Sequence, residues 1–333
     1  MDVSVQEEIG QIQMERPHVV ILGAGASRAA FPEGDKNGRK VPLMDGFVEV
    51  LGLGDMLSHI NIEFESNNFE DVYNQLYQKE EFNEIRRKLE TVVYNYFDGM
   101  VMPDKPTLYD HLILSLREKD VIASFNWDPF LVQACRRNSK CSSSPRVLFL
   151  HGNVRSGYCE KDKVVGLNGT LCKRCRAPLM PTRLLYPISD KNYNEDNFIF
   201  HQWKELSQHL KKAFMITFFG YGAPKTDVSA IELMKAAWGE VHDRNMEQTE
   251  IIDIKSEEDL HKTWKPFIHS HHDDCLDDFY KSWISNHPRR TGEAYINQYL
   301  DGKFIDNNPI PRDLSFPDLW EWFKPLREAE KTE

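Results

Sequence analysis

The sequence predicts an α/β fold: a doubly wound, mostly parallel, Rossmann-like sheet with a helical insertion and a small cysteine-containing module. Three observations lead to this fold class. Short apolar runs with little polar alternation recur along the chain, as expected of strands buried on both faces. Segments with helical periodicity lie between these runs. The 333 residues, 41% of them hydrophobic, are also enough to bury a large core.

The first predicted strand covers residues 19–22, and the turn Gly23-Ala24-Gly25-Ala26-Ser27 follows it directly. A turn without large side chains lets the backbone come close to a phosphate, and the amides at the start of the next helix point towards such an anion. The pattern completes neither the dinucleotide fingerprint nor a P-loop. A glycine turn that merely closes a strand is therefore an equal alternative at this point.

Further apolar runs of the same character cover residues 121–125, 147–150, 214–219 and 250–254. Polar or small residues follow the first three of them, in the order Asn126-Trp127-Asp128, His151-Gly152-Asn153 and Gly220-Tyr221-Gly222. Ligands of open α/β sheets bind beyond the carboxyl ends of the strands, so these endings and the glycine turn are expected to meet in one crevice. Asp253, at the end of the last run, suits a contact with an adenosine ribose.

The remaining segments predict the domain organisation. Helical spacing recurs over residues 69–97 and 197–212, and the first of these lies in a helical insertion of about residues 45–105. A cysteine module covers about residues 156–182 and has no clear period. We expect a main domain over residues 15–255 and an aromatic-rich helical extension over residues 256–333. Such aromatic side chains are typical of packing against a core or a partner subunit.

Composition narrows the class of protein. A net charge of −11 argues against a broad nucleic-acid-binding surface. We find no apolar run long enough to span a membrane, and the acidic start of the chain does not resemble a signal peptide. Six cysteines are too few for a disulfide scaffold in a chain of this length. These features predict a soluble, cytoplasmic protein.

In combination, the motifs resemble the sirtuin superfamily, and in particular the divergent sirtuin-like proteins of bacteria, many of which degrade NAD in anti-phage defence. The resemblance rests on the glycine turn, the segments 124–128 and 150–152, the cysteine-bearing insertion and Gly220-Tyr221. Residues 220–227 are similar to the Gly-Tyr-Ser-Leu-Pro-x-x-Asp element of the bacterial branch. Residues 185–193 stand where deacylases have the strand that clamps an acetyl-lysine peptide.

The resemblance implies an NAD glycohydrolase that cleaves NAD to ADP-ribose and nicotinamide. It assigns ribose and water orientation to Asn126, carboxamide recognition to Asp128, and the role of general base, with a pKa near neutrality, to His151. NAD contacts are implied for Gly23, Ala24, Gly25, Ala26, Ser27, Asn126, Asp128, Gly220, Tyr221, Asp227 and Asp253. The alternatives are a non-catalytic module that binds NAD or an ADP-ribose derivative, and an NAD-dependent protein deacylase.

Single motifs in this set have structural interpretations as well. An Asn-x-Asp sequence after a strand is typical of a helix cap or turn. A lone His-Gly is typical of a structural histidine. The six residues His269, His271, His272, Asp273, Asp274 and Cys275 are typical of an exposed loop or helix start rather than a metal site.

The cysteine module predicts a zinc site with an incomplete ligand set. Cys172 and Cys175 have the C-x2-C spacing that lets two thiolates bind one tetrahedral ion. Cys159 stands where the first cysteine of a second pair would be, and Asp162 takes the place of its partner. An oxygen ligand from Asp162 could complete the site, and a degenerate module without metal is the alternative.

The expected partners follow from the resemblance and from the aromatic extension. We expect a homo-oligomer, and a protein partner such as a hexameric DNA-translocating ATPase or an Argonaute-type sensor. Direct nucleic-acid binding and membrane association are not expected.

Overall fold

A parallel sheet forms the centre of the molecule. The computed structural model describes residues 2–60, 62, 64, 66–141, 143–188, 191–244, 246–269 and 271–331. The strands found in these ranges are β1 (Asp2–Val3), β2 (His18–Leu22), β3 (Val121–Ser124), β4 (Arg146–Phe149), β5 (Ser156–Cys159), β6 (Val164–Leu167), β7 (Met180–Pro181), β8 (Met215–Phe219), β9 (Gln248–Ile252), β10 (Asp273–Leu276) and β11 (Phe304–Ile305).

Helices cover both faces of this sheet and one of its ends. The α-helices in the described ranges are α1 (Val5–Ile9), α2 (Ala24–Ala30), α3 (Phe47–Val50), α4 (Gly54–Ser58), α5 (Phe69–Tyr77), α6 (Asn83–Asp98), α7 (Leu108–Ser115), α8 (Phe130–Asn138), α9 (Asn197–Leu210), α10 (Val228–Trp238), α11 (Glu257–Trp264), α12 (Trp283–Asn286), α13 (Thr291–Tyr295), α14 (Phe316–Trp322) and α15 (Lys324–Ala329). A π-helical turn, Ile296–Leu300, continues α13.

The central sheet has the strand order β10-β9-β8-β2-β3-β4, and every neighbouring pair is parallel. The chain starts in the middle of this sheet at β2, builds outwards through β3 and β4, and then returns to build the other half from β8. The strand order therefore reverses between β2 and β8, which is the place where open α/β sheets bind ligands. All residues of β2, β3, β8 and β9 are buried, which explains the mostly apolar sequences of β2, β3 and β8.

The predicted fold class is confirmed, and so are the five predicted strands of the sheet, with ends shifted by up to two residues. The sixth strand, β10, was not predicted. The expectation of a loop or helix start at residues 269–275 is wrong for Asp273 to Cys275, which pair with Thr249 to Ile251 of β9. An edge strand is half exposed, so it carries acidic residues and lacks the apolar run that marks the inner strands.

Two insertions lie beside the carboxyl ends of the strands. The long helical pattern of residues 69–97 consists of two helices, α5 and α6, because a 3-10 turn at Glu80–Phe82 separates them. Phe47 of α3 stacks on Phe69 at 4.3 Å and meets Trp127 edge to face. The second insertion is a small antiparallel sheet with the order β6-β5-β7, which carries the module's cysteines.

The aromatic extension packs mostly inwards. Trp264, Phe267, Phe279, Tyr295 and Phe323 are each no more than 2% exposed. The two ends of the chain also meet, because β1 pairs in parallel with β11. In the part of the chain that the structure describes, no helix combines the length and the apolar character needed to cross a membrane.

Candidate functional site

A cavity of about 450 Å³ opens at the carboxyl ends of the sheet strands. The walls include most of the residues that the sequence assigned to the site: Gly23, Ala24, Gly25, Asn126, Asp128, His151, Gly220, Tyr221, Asp227 and Asp253. Ala26 and Ser27 are fully buried beneath the glycine turn and do not line the cavity. The convergence of strand endings that the sequence predicts is therefore present.

The glycine turn is packed directly against a second backbone turn at Gly220. A Cβ atom on Gly23 would lie 2.5 Å from the Gly220 oxygen, and one on Gly25 would lie 2.8 Å from the Gly220 Cα. Gly220 itself has a φ of 59°, in the left-handed region that favours glycine. The amides of Gly25 and Ala26 donate to the carbonyls of Gly220 and Gly23. These glycines are thus required by backbone packing, and two of the amides expected to face an anion are bonded within the turns.

Asn126 and Asp128 are held beneath the glycine turn by a hydrogen-bond network around Ser27. The Asn126 side-chain amide donates to the Gly23 carbonyl at 2.8 Å and to the Ser27 hydroxyl at 3.0 Å. Ser27 in turn donates to Asp128 at 2.6 Å. Among the described residues, none donates a hydrogen bond to Oδ1 of Asn126. That oxygen is therefore the polar atom that Asn126 can offer to a ligand.

Asp128 combines a structural role with its place in the cavity wall. Its Oδ2 accepts from Ser27, and its Oδ1 accepts from the amide of Phe130 at 3.2 Å, near the start of α8. This is the local capping pattern that the structural interpretation of Asn-x-Asp predicts. Burial raises the pKa of Asp128 to about 6, although the hydrogen bonds from Ser27 and Phe130 favour the charged form.

His151 lies at the bottom of the cleft, 5% exposed, between aromatic rings. Its ring meets Phe125 edge to face at 4.7 Å, and its Nε2 lies 3.2 Å from the Tyr193 hydroxyl. Burial lowers the pKa of His151 to about 3, and Lys191 lowers it further while Asp227 opposes the shift. The expected pKa near neutrality is therefore wrong, because the enclosure of the ring disfavours its charged form. The imidazole is neutral at pH 7.

A buried ion pair adjoins His151. Lys191 and Asp227 are paired through Nζ and Oδ1, with side chains only 4% and 5% exposed. Asp227 also accepts from the Tyr221 hydroxyl at 2.9 Å and lies 3.9 Å from Nε2 of His151. Burial acts to raise the pKa of Asp227, but His151 and Lys191 outweigh it and hold that pKa below its usual value.

Sequence reasoning missed three residues of this site. Lys191, Tyr193 and Glu70 were given no role, although Lys191 and Glu70 line the cavity and Tyr193 contacts His151. Lys191 and Tyr193 belong to the unusual segment 185–193, which gave no sign of their role. Ser189 and Asp190 of that segment lie outside the described residues. Burial and the nearby Asp227 raise the pKa of Glu70. No motif in the sequence marks Glu70.

Asp253 stands at the mouth of the cleft, one residue after β9 ends. Its Oδ1 accepts from the amide of Lys255 at 3.1 Å, which fixes the turn. The neighbouring Ile254 is 92% exposed. Asp253 thus follows the end of a sheet strand, as the sequence predicts, and is partly exposed in the wall of the cavity.

The cysteine module brings its four predicted ligands together. The ligand atoms of Cys159, Asp162, Cys172 and Cys175 all lie within 4.8 Å of one another. The sulfurs of Cys159 and Cys175 are 3.6 Å apart, and the Asp162 carboxylate is 3.7 Å from the Cys159 sulfur and 3.3 Å from the Cys172 sulfur. A zinc tetrahedron with sulfur ligands has edges of about 3.8 Å. The residues therefore fit a zinc ion held by three sulfurs and one oxygen.

Comparison with known proteins gives a likeness of fold. A scan against protein-family profiles finds no match, and a search of curated proteins finds none either. Solved structures of Sir2 homologues do align with the chain. They belong to the superfamily that the motifs resemble.

A complex of a Sir2 homologue with NAD is 13% identical, with a TM-score of 0.40 over 98% of this chain and 93% of that one. A mutant Sir2 homologue with ADP-ribose is 12% identical, with a TM-score of 0.38 over 99% of this chain and 98% of that one. A Sir2 complex with deacetylated p53 peptide and 3′-O-acetyl ADP-ribose is 11% identical, with a TM-score of 0.37 over 89% of this chain and 96% of that one. At these values the likeness carries no argument about the chemistry of the cleft, which rests on its own residues.

The chemistry that these residues can perform is limited and specific. A neutral imidazole can accept a proton, and among the described residues none forms a hydrogen bond with its Nδ1. The free Oδ1 of Asn126 can orient a hydroxyl or a water. The carboxylate of Asp227 can stabilise an imidazolium once one forms. These groups are suited to proton transfer from a hydroxyl or a water. The cleft is large enough for much of a nucleotide.

Proposed function

We propose that the protein is an NAD glycohydrolase, which cleaves the bond between nicotinamide and ribose and releases ADP-ribose. The observation that carries this proposal is the meeting of His151 and Asn126 in one cavity whose wall is the glycine turn. His151 follows strand β4 and Asn126 follows strand β3, yet both side chains line the same cavity. A structural histidine and a helix cap would not need that convergence.

In the proposed reaction, the glycosidic bond breaks through an oxocarbenium-like ribose, and water adds to the anomeric carbon. Oδ1 of Asn126 orients the water or a ribose hydroxyl, since its amide nitrogen is already bonded to Gly23 and Ser27. His151 accepts the proton that the water loses. The resulting imidazolium is stabilised by Asp227, 3.9 Å from Nε2. Nicotinamide leaves as a neutral molecule, so the leaving group needs no proton.

The other residues of the cleft are assigned binding roles in this proposal. Asp128, beside the glycine turn, is the proposed partner of the carboxamide, and Asp253 at the rim is the proposed partner of the adenosine ribose. The turns at Gly23, Gly25 and Gly220 present backbone without side chains to the pyrophosphate, and Tyr221 forms the adjoining wall. Phe125 stacks on Tyr221 at 4.1 Å and keeps this wall rigid.

An enzyme that consumes NAD would harm its own cell unless it were controlled. We therefore extend the proposal to a regulated effector of bacterial anti-phage defence, active as a homo-oligomer or with a protein partner. A hexameric DNA-translocating ATPase or an Argonaute-type sensor is the proposed class of partner. The cytoplasm is the proposed location, because NAD is held there.

The experiment is the incubation of purified full-length protein with NAD, followed by separation of nicotinamide and ADP-ribose. His151→Ala and Asn126→Ala are each expected to lower the rate about a hundredfold or more, because each removes a positioned group at the reacting centre. His201→Ala, at a partly exposed position of α9, is the matched control and is expected to keep the full rate.

The same assay separates the alternatives. Retention of wild-type turnover by a folded His151→Ala protein would remove this mechanism. Tight NAD binding with no release of nicotinamide would favour the non-catalytic module, if it is seen both for the protein alone and for the protein mixed with the products of neighbouring genes. Nicotinamide release only in the presence of an acetylated peptide would favour the deacylase.

A further inference from the structure

The edge strand β10 presents its side chains to two different surroundings. Asp274 faces one side, where Gln248 donates to it at 2.7 Å and the indole of Trp283 donates at 2.9 Å. Side chains alternate along a strand, so Asp273 and Cys275 face the opposite side, towards α11. There Thr249 of β9, the partner of Asp273 in register, bonds the Phe267 carbonyl just after α11. Asp273 and Cys275 thus share one face beneath this helix.

His261 completes this face from the last turn of α11. Its Nε2 lies 2.8 Å from the Asp273 carboxylate, and the ligand atoms of His261, Asp273 and Cys275 all lie within 4.8 Å of one another. Residues 269–275 form one run in the sequence, but strand β10 directs alternate side chains of that run to opposite faces. The partner of its Asp and Cys is a histidine twelve residues upstream of Asp273.

The donor set selects the class of ligand. An imidazole nitrogen, a carboxylate oxygen and a thiolate together suit a borderline transition ion such as Zn²⁺, whereas Ca²⁺ and Mg²⁺ prefer oxygen alone. Glu257, one helical turn before His261, places a carboxylate oxygen 4.0 Å from the same Nε2. It offers a fourth ligand. In the described ranges, neither Glu257 nor Asp273 forms an ion pair with a lysine or arginine, so the charge of both is left for a cation.

We propose that His261, Asp273 and Cys275, with Glu257 or water in the fourth position, form a second site for a divalent transition ion. The site is open on one side, because β10 is the edge of the sheet and His261 is half exposed. Bound there, the ion joins α11 to the edge strand. This site is separate from the cysteine module and does not depend on the proposed NAD chemistry.

The test counts zinc ions. Full-length protein is stripped with a chelator, dialysed against zinc chloride under reducing conditions, and analysed for metal per chain by elemental mass spectrometry. The wild type is expected to bind two ions. His261→Ala and Cys275→Ser are each expected to bind one fewer ion than the wild type. Cys175→Ser is expected to lose the other ion and to keep the one at β10.

His242→Ala is the matched control, since this histidine is 82% exposed on a separate surface turn. It is expected to bind as many ions as the wild type. Far-UV circular dichroism of each variant confirms that it is folded. An unchanged zinc count in both folded His261→Ala and folded Cys275→Ser would overturn the proposal. So would a wild type whose bound zinc is abolished entirely by Cys175→Ser.

Discussion

At the scale of single residues, the carboxylate of Asp227 decides the charge balance of the cleft. It is shared between a buried lysine, a tyrosine hydroxyl and the neighbouring His151. Burial of the ring is the largest cause that lowers the pKa of His151; Asp227 opposes this shift, and Lys191 adds to it. His151 therefore stays neutral over the physiological pH range, in the form that can accept a proton.

This balance predicts the effect of Lys191→Met on the pH profile of NAD cleavage. The substitution removes a cause that lowers the pKa of His151, while Asp227, which raises it, remains. The protonated form then persists to higher pH, so the acid limb of the profile should move upwards. Asp227→Asn should move that limb the opposite way. Initial rates from about pH 2 to pH 7, a range that includes the His151 pKa of about 3, give the comparison.

Two controls separate this effect from loss of fold. Removing one partner of a buried ion pair costs about 3–5 kcal/mol of stability, so the unfolding of each variant is measured alongside its rate. Lys211→Met, at an exposed lysine after α9, should leave both the profile and the stability unchanged. An acid limb in folded Lys191→Met that coincides with the wild-type limb would contradict the assignment of Lys191.

At the scale of elements, the cysteine module and its small antiparallel sheet give a second prediction. Metal binding is coupled to the folding of such modules, because the unfolded chain does not hold the four ligand atoms together. Chelation should lower the melting temperature by on the order of 10 °C. Scanning calorimetry with and without a chelator measures the change.

Cys172→Ser should reproduce most of the chelator's effect, and further chelation should lower the melting temperature of this variant less than that of the wild type. Cys141→Ser, at a partly exposed cysteine outside the module, is the control and should melt like the wild type. Metal-free protein with an unchanged melting temperature would support the degenerate module instead.

The third prediction concerns Glu250 on strand β9. This side chain is fully buried, accepts from Thr217 on β8 at 2.9 Å, and accepts from the backbone amide of Trp283 at 2.8 Å, at the start of α12. Burial raises the pKa of Glu250 to about 7, against the hydrogen bonds that favour its charge. The folded protein thus binds this proton more tightly than the unfolded chain does between about pH 4 and pH 7.

Stability from this group is present below the unfolded pKa and is lost as the pH rises to about 7. The loss amounts to about 3 kcal/mol. In Glu250→Gln the amide oxygen can accept from Trp283 and the amide nitrogen can donate to the Thr217 hydroxyl, with no proton to lose, so its stability should fall less than that of the wild type between pH 4.5 and pH 8. Urea unfolding at both values measures this. Glu118→Gln, at an exposed position, should follow the wild type, and a Glu250→Gln protein that does so too would refute the assignment.

The elements also show where sequence reasoning succeeds and where it stops. Strands β2, β3 and β8 are fully buried and the end of β4 is buried, so their apolar runs and the turns after them could be predicted from the sequence, and with them the positions of Asn126 and His151. β10 could not be read, because an edge strand with Asp273 and Asp274 lacks that pattern. Lys191 could not be assigned either. Its ion pair spans 36 residues, and only the packed chain brings the two charges together.

At the scale of the whole molecule, the aromatic extension proves to be mainly core. Ten of its twelve rings are buried or partly buried, and truncation near Pro288 would remove Tyr295 and Phe323 from their packing. Such a truncation would therefore destabilise the monomer rather than only separate subunits. Tyr299, which is 49% exposed, and Phe304, which is 78% exposed, are the rings left for a partner.

The assembly prediction accordingly rests on these exposed rings. Tyr299→Ser combined with Phe304→Ser should lower the mass in solution while leaving the melting temperature close to that of the wild type. Light scattering over a concentration series should give a mass above 38.9 kDa for the wild type. Tyr77→Ser, another exposed ring, serves as the control. A wild type that stays at the mass of one chain at all concentrations would show that these rings join no second copy.

The meeting of the two chain ends has a consequence for how the protein is made. Asp2 and Val3 pair with Phe304 and Ile305, and Glu8 bonds His287 at 2.8 Å across 279 positions. A growing polypeptide cannot form these contacts until the segment around Phe304 has left the ribosome. Closing a loop of that length is slow, so residues 2–8 should become ordered after the central strands. During translation, its early residues are consequently open to chaperones and proteases long after the central strands have been completed.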